Sequence, residues 1–213
     1  MKSSRRTQAE RTAATRAVLV AAGRKLFAEH GFAGVGTEAL VREAGVSRGA
    51  LYHQFGDKTE LFASVLADVE GEVARSLAAA VLADGEADFV TMMTRAVDAW
   101  LDACGSAEVQ RIVLIDGPAV LGWVRWRAIC QPHILGLIES VLALNAANGT
   151  LLPLPVKPLA HILLAIADEA ALYLNAAHDR TAARDEIAQI IDPLVRALVR
   201  GRDNTRPGFL DEQ

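Results

Sequence analysis

The sequence predicts an all-α protein: an N-terminal three-helix helix-turn-helix unit followed by a larger helical body, about nine helices in all. Three observations carry this. Apolar residues recur at helical spacing from end to end, alanine and leucine dominate while β-branched runs stay short, and glycine or proline punctuates the periodic segments. With 213 residues, 52% hydrophobic and 23% charged, the chain has enough apolar surface for a substantial core and lacks the composition of a disordered protein.

The elements follow in order. Residues 1 to about 10 are polar and expected to be loose. A first helix runs from near Thr12 to His30, with Leu19, Ala22, Leu26 and Phe27 on one stripe, and Gly31 ends it by accepting a left-handed backbone. A short helix is expected from Thr37, as its cap, to Ala44, with Leu40, Val41 and Ala44 facing inward. Gly45-Val46 turns the chain. Ser47 then caps a third helix through Gln54, whose inner side holds Leu51 and leads to Phe55. After Gly56, the pair Asp57 and Glu60 has capping-box spacing and opens a long helix to about Ala83. Five further helices are expected near 86–104, 107–115, 118–145, 158–177 and 181–200. Pro118 and Pro158 suit first turns, whereas Pro132 and Pro193 fall inside periodic stretches and predict a kink or break at each. The segment LLPLPVKP (151–158) reads as extended, and the tail after Gly201 as mobile. The domain boundary implied is 1–57 for the small unit and 58–213 for the body.

Charge separates the same two parts. The whole chain carries −4, but residues 1–60 hold ten Lys/Arg against six Asp/Glu, leaving the remainder with twelve against twenty. A basic N-terminal unit on an acidic body suits a polyanionic partner, DNA or RNA, although a solvated basic tail gives the same balance. Cys104 and Cys130 form no ligand cluster and read as buried thiols in a reducing compartment, with a disulfide the lesser alternative, and neither metal nor cofactor is expected. No uninterrupted apolar stretch approaches the roughly 18–20 residues of a membrane span, and no apolar segment with a cleavage site follows the basic N-terminus. A cytoplasmic protein without a membrane partner is expected.

The stretch TEALVREAGVSRGALYHQF (37–55) carries the function. Inward-facing Leu40, Val41, Ala44, Val46, Leu51 and Phe55 fix the angle between two brief helices. This leaves Arg48 and Tyr52, four residues apart, on the other side with Gly49 and His53 beside them. A second helix so placed enters a major groove, where Arg48 can reach a guanine edge or a phosphate and Gly49 permits close approach. Helix N-termini at Thr37, Ser47 and Asp57 suit phosphates, and Lys58 adds a salt-sensitive contact. The longer stretch GTEALVREAGVSRGALYHQFGDKTELF resembles the N-terminal domain of TetR-family regulators, the likeness extending from Thr12 to about Leu66. The resemblance implies that Thr37, Ser47, Arg48, Gly49, Tyr52, His53 and Lys58 contact double-stranded DNA, Tyr52 and His53 mostly at phosphates. It also implies a bridging fourth helix and a C-terminal domain for effector binding and dimerisation. VQRIVLIDGPAVLGWVRWRA (109–128) is similar to a stretch in some TetR-type regulators.

Within the body, Leu159, Leu163, Ile166 and Ala170, with Ile187, Ile191, Leu194 and Leu198, form stripes suited either to a four-helix homodimer interface or to the internal core. His161, Asp168 and Asn175 repeat every seven residues, as interface pins or a solvated stripe. A pocket for a small-molecule effector is expected among Phe89, Met92, Met93, Trp100, Asp116, Trp123, Trp126, His133, Glu169 and Tyr173. Glu169 stands out there as a carboxylate inside an apolar run. The reading is a transcriptional regulator, most simply a repressor released from a near-palindromic operator by that effector. A regulator without an effector is the alternative. An all-α enzyme using Asp116, His133 or Glu169 finds no paired nucleophile and base, no metal-spaced cluster and no phosphate loop, so no catalytic residue is assigned.

Overall fold

The computed structural model describes residues 7–82 and 87–201. Its helices are α1 (Gln8–Gly34), α2 (Thr37–Ala44), α3 (Arg48–Phe55), α4 (Lys58–Leu82), α5 (Phe89–Ala103), α6 (Gly117–Cys130), α7 (Gly136–Ala147), α8 (Val156–Ala176) and α9 (Arg180–Arg196). Wide π-turn segments, Val109–Asp116 and Gln131–Leu135, run directly into α6 and α7. The extended chain is confined to one isolated antiparallel bridge, Leu151 with Val199, among the described residues.

The first helix begins earlier than its apolar stripe suggests. Thr7 and Glu10 cap each other reciprocally, so the polar start is helical from Gln8. Leu19, Ala22 and Phe27 are buried as the stripe requires. Gly31 breaks the helix at φ 68°, ψ 166°, a positive-φ but extended conformation open essentially to glycine alone. At α2 the boundary matches and the cap does not: Gly36 is the N-cap with no side-chain bond, and Thr37 is the first helical residue. Gly45, left-handed at φ 65°, ψ 30°, makes the sharp turn between α2 and α3. Ser47 caps α3 by accepting from the Ala50 amide at 3.2 Å, and Asp57 accepts from Glu60 at 2.8 Å.

The core is continuous from one end of the molecule to the other. Phe62 on α4 lies edge-on to both Phe27 and Phe32, with centroids 5.3 and 5.2 Å apart. The small unit therefore borrows the first turns of α4 for its interior. Polar contacts fasten it to the body as well. Arg24 holds Glu108 with two 2.8 Å bonds and reaches Asp68 and Glu72, Asp116 accepts from the Phe32 amide at 2.6 Å, and Arg125 donates at 2.6 Å to Glu60 in the first turn of α4 that the small unit borrows.

The body departs from the sequence reading in its middle. A single helix over 118–145 was the expectation; the chain breaks at Gly122 (φ 74°, ψ 157°) and again at His133 (φ −113°, ψ −111°), one residue after Pro132. The second break is the one Pro132 predicts, because it removes a helical N–H and crowds the preceding turn. Pro193 behaves differently: α9 passes through it and ends one turn later, and Val199 then pairs with Leu151 instead of extending the helix to Arg200. The start of the residue 86–104 helix and the tail after Gly201 lie, in whole or part, outside the described residues.

Two helical runs, Val109–Ala147 and Val156–Ala176, are long and apolar enough by length and composition to cross a membrane. Stretches counted only while uninterrupted miss them. In the fold α8 turns an apolar side with Ala160, Leu164, Ala171 and Leu174 into the core and leaves Lys157 and Glu169 exposed.

Candidate nucleic-acid interface and effector cavity

The helix-turn-helix is held by the residues that its sequence nominates. Leu40 and Leu51 are fully buried, Val41 and Phe55 nearly so, and Ala44 and Val46 pack against them. The opposite side of α3 is open. Arg48, Gly49, Tyr52 and His53 are all exposed, Tyr52 at 40% despite its size. Arg48 lies 5.5 Å over the Tyr52 ring, donates to its hydroxyl at 3.3 Å and pairs with Glu38 at 3.1 Å. Such an exposed pair is weak enough to be exchanged for a phosphate or a base edge. Ser47 is exposed but its hydroxyl is engaged as a cap, and Thr37 is half-buried at the start of α2.

Lys58 is placed differently from a free surface cation. It is half-buried, sits 4.0 Å over the Phe32 ring and donates to the carbonyls of Phe32 and Val35 at 3.0 and 2.8 Å. Its ammonium neutralises the end of α1 and fixes the approach to α2, a positioning duty that leaves at most one N–H for a phosphate.

In the body, only three of the expected pocket residues come together. Met92, Met93 and Trp100 line a cavity of about 50 Å³, walled also by Leu77 and Val81 from α4, Ile134, residues of α7, and Leu163 and Leu164 from α8. The other expected members go elsewhere. Phe89 is buried in the core away from the cavity lining. Asp116 is spent on the Phe32 amide, so it works at the joint with the small unit. Trp123 is 60% exposed beyond the Gly122 break and stacks on His161. Trp126 is buried against Gly117, where any Cβ would lie 2.9 Å from the indole, and carries the Arg127 guanidinium 4.2 Å above its ring. His133 marks the break and faces Gly71 of α4. Tyr173 is exposed and donates to Glu186 at 3.2 Å.

Glu169 corrects the sequence reading most clearly: it is exposed, and its neighbour Asp168 is the carboxylate that turns inward. Asp168 accepts from Arg127 at 3.1 Å, and burial pushes its carboxyl up to about 6 in spite of that cation. Nearby Glu70 on α4 is 2% exposed, accepts from the Cys130 thiol at 3.1 Å, and is pushed up to about 7, chiefly by burial. Burial likewise drives both cysteine thiols well above their usual range. This polar knot was missed because Glu70 lies on a helix read as a plain connector, and a one-residue shift of face separates Asp168 from Glu169. The seven-residue repeat has a third explanation too. Asp168 pairs with Arg127, Asn175 donates to the Cys104 carbonyl at 2.8 Å and His161 stacks with Trp123, so within the protomer the three side chains have partners of their own and do not form a solvated stripe.

The residues expected at an interface lie mostly inside the protomer. Ile187 and Ile191 are buried in the protomer's own core, Leu163 and Ile166 line internal cavities, and Leu159, Ala170 and Leu198 are half-buried. Of that set Leu194 alone is largely exposed, at 46%. The open apolar surface on these helices is Ile162 and Tyr173 on α8 with Ile190 and Leu194 on α9. No group of three or more potential metal ligands occurs among the described residues.

An exposed recognition helix on a fastened three-helix unit, joined through α4 to an apolar-cavity body, defines a helix-turn-helix regulator architecture. Residues 19–65 match the family of bacterial regulatory proteins named for tetR, and residues 90–198 match the tetracyclin repressor-like C-terminal domain. The chain belongs to the TetR family, and the relatives it matches are transcription regulators, not enzymes. It is 35% identical over 148 residues to the HTH-type transcriptional regulator CymR of Pseudomonas putida, covering 66% of this chain and 73% of that one. It is 35% identical over 63 residues to the HTH-type transcriptional repressor AcnR of Corynebacterium efficiens, covering 30% of this chain; the match spans about a third (34%) of that relative's length. A solved TetR-family transcriptional regulator from Pectobacterium atrosepticum superposes with a TM-score of 0.74 at 31% identity, covering 92% of this chain and 99% of that one.

Proposed function

We propose that this protein is a cytoplasmic, homodimeric repressor that releases a near-palindromic operator when a small molecule enters the body. Residues 1–57 form the DNA reader and 58–213 the effector and dimerisation domain. The observation that carries this is the free outer side of α3: Arg48, Tyr52 and His53 project together from a helix whose inner side is locked by Leu51 and Phe55. In the major groove Arg48 exchanges Glu38 for a base edge or phosphate. Tyr52, His53, Ser47 and the amides opening α2 at Thr37 meet the backbone, and Gly49 lets α3 approach. Lys58 positions the unit and adds at most one phosphate contact.

One reader covers a half-site, and two copies place their recognition helices about 34–36 Å apart, one turn of DNA. The seam between copies is the exposed strip of Ile162, Tyr173, Ile190 and Leu194. The effector enters the cavity lined by Met92, Met93 and Trp100, and its wall includes Leu77 and Val81 on α4, the helix whose other end begins at Lys58 beside the reader. A ligand that prefers a displaced α4 shifts the reader by its differential affinity for the two states; full release needs roughly 5.5 kcal/mol of it. The cavity favours this reading over a regulator without an effector.

Selection of binding sites from random DNA with the purified protein tests the proposal. A two-fold sequence with half-sites one helical turn apart is expected, and Arg48→Ala should lose most of that specificity while melting as the parent does. Recovery of no preferred sequence, or unaltered specificity in the Arg48→Ala protein, would refute it.

A further inference from the structure

A groove of about 510 Å³ runs over the outside of the body, between the middle of α4 and the start of α7. Its volume lies in the range of small-molecule sites, which set a few polar groups among mostly apolar walls. Ala74 and Ala78 on α4 and Leu137 on α7 supply the apolar wall. Leu137 also lines the body cavity, so the groove backs onto it. The polar side chains are Arg75, His133 and Ser140, and no acidic side chain lines the groove. Ser140 already donates to the Gly136 carbonyl at 2.7 Å, which leaves a guanidinium and an imidazole.

Gly71 lets these two meet. The chain break at His133 lays the imidazole against α4, and Arg75 stands one turn beyond Gly71 on the same face. A Cβ on Gly71 would lie 3.5 Å from both Arg75 Nη1 and His133 Nδ1. The nitrogens are therefore neighbours on one wall of the groove, near enough for the two oxygens of a single carboxylate to reach both. Arg75 is exposed and makes no ion pair or hydrogen bond among the described residues, whereas Arg125, Arg127, Arg184 and Arg196 in the same acidic body each hold a carboxylate. A guanidinium suits planar two-oxygen recognition. A cation would be repelled by it, and a neutral ligand would leave its charge unmatched. An inorganic anion would make no use of the apolar wall, whose burial adds affinity in proportion to area.

We infer that this groove binds a small organic acid, its carboxylate on Arg75 and His133 and a short apolar body along Ala74, Ala78 and Leu137. The inference rests on the effector-binding reading above in taking that acid to be the effector, and gives the effector a chemical class.

Three probes decide it: hexanoate (acid with an apolar body), hexan-1-ol (the same body without charge) and acetate (the charge without the body). Each is titrated into the full-length protein and followed by the carbon-bound imidazole signals of its five histidines in an NMR spectrum, with His133→Gln assigning the relevant ones. Hexanoate should move the His133 signals and bind about 10-fold or more tightly than either hexan-1-ol or acetate. Arg75→Gln, at an exposed position, should fold as the parent does and weaken hexanoate by about 10-fold, the value of a hydrogen bond to a charged group. Failure of hexanoate to bind, hexan-1-ol or acetate binding as tightly, undiminished affinity in Arg75→Gln, or His133 signals indifferent to hexanoate would each overturn the inference. Should His133→Gln fail to fold, the ratios among the three probes and the Arg75→Gln titration decide alone. Operator affinity is measured separately. Hexanoate that binds here without changing it refutes the effector reading and leaves the site standing, whereas operator release by hexan-1-ol and not by hexanoate refutes the acid and leaves the effector reading.

Discussion

Replacing Glu70 with glutamine should stabilise the protein at alkaline pH and not at acidic pH. The side chain is 2% exposed, one oxygen accepts the Cys130 thiol and the other has no partner. Asp168 disfavours its charge and Arg127 favours it, but burial dominates and lifts the carboxyl from an ordinary 4.5 to about 7. The folded protein therefore holds this proton more tightly than the unfolded chain does. Stability is greatest below the unfolded value, falls as pH rises from about 4.5 to about 7, and is level above that. Across the window the loss is on the order of 3 kcal/mol, at about 1.4 kcal/mol per pH decade. Glu70→Gln keeps an acceptor for Cys130 and removes the charge, so the advantage of the variant over the parent should grow by roughly 2–3 kcal/mol between pH 5 and pH 8. Asp168, pushed up to about 6, titrates in the same direction but is present in both proteins and largely cancels in the difference. Urea unfolding followed by circular dichroism at fixed protomer concentration, from pH 5 to pH 8, measures it. Parallel pH profiles for parent and variant would refute the reasoning, because they would mean that Glu70 is ionised alike in both states.

Three further outcomes are expected. Asp116→Ala should cost about 1.5–3 kcal/mol, the value of a hydrogen bond to a charged group, and should raise hydrogen exchange at the Phe32 amide; unchanged protection there would show that the joint does not depend on this bond. Gly31→Ala should lower stability by about 1–3 kcal/mol from backbone strain, with its new methyl 3.3 Å from the Asp116 carboxylate; thermal denaturation matching the parent would contradict the positive φ. Ile190→Glu should weaken the dimer by about 30-fold or more, since the change enters twice across a two-fold axis; sedimentation showing an undiminished dimer would move the seam elsewhere.

The reader was legible almost residue by residue. Its signals are local: the Gly45 turn, the Ser47 cap and the inward set from Leu40 to Phe55 are each decided within a few neighbours, so spacing alone places Arg48 and Tyr52 outside. The body was legible as helices but not as faces. A helix covered on several sides has apolar residues nearly all round, and periodicity then cannot say that Asp168 rather than Glu169 turns inward, or that Ile190 rather than Ile191 is left open. Single residues also changed role through distant partners. Lys58 is drawn to carbonyls at the end of α1 and Asp116 to the Phe32 amide, 84 positions away in sequence. The broken middle helix was half visible, in Pro132 and not in Gly122.

The pairing of Leu151 with Val199 has a consequence for the proposed meeting of two copies. Leu152 donates to the Leu198 carbonyl at 2.9 Å and Arg200 to that of Thr150 at 2.8 Å, so the chain leaving α9 is clasped to the chain entering α8. The helical hairpin is thereby shut at both ends, and the splay between Ile162 and Ile190 is set within each protomer before any partner arrives. In the proposed dimer, assembly would join two finished surfaces, and dilution should yield intact single chains instead of unravelled ones.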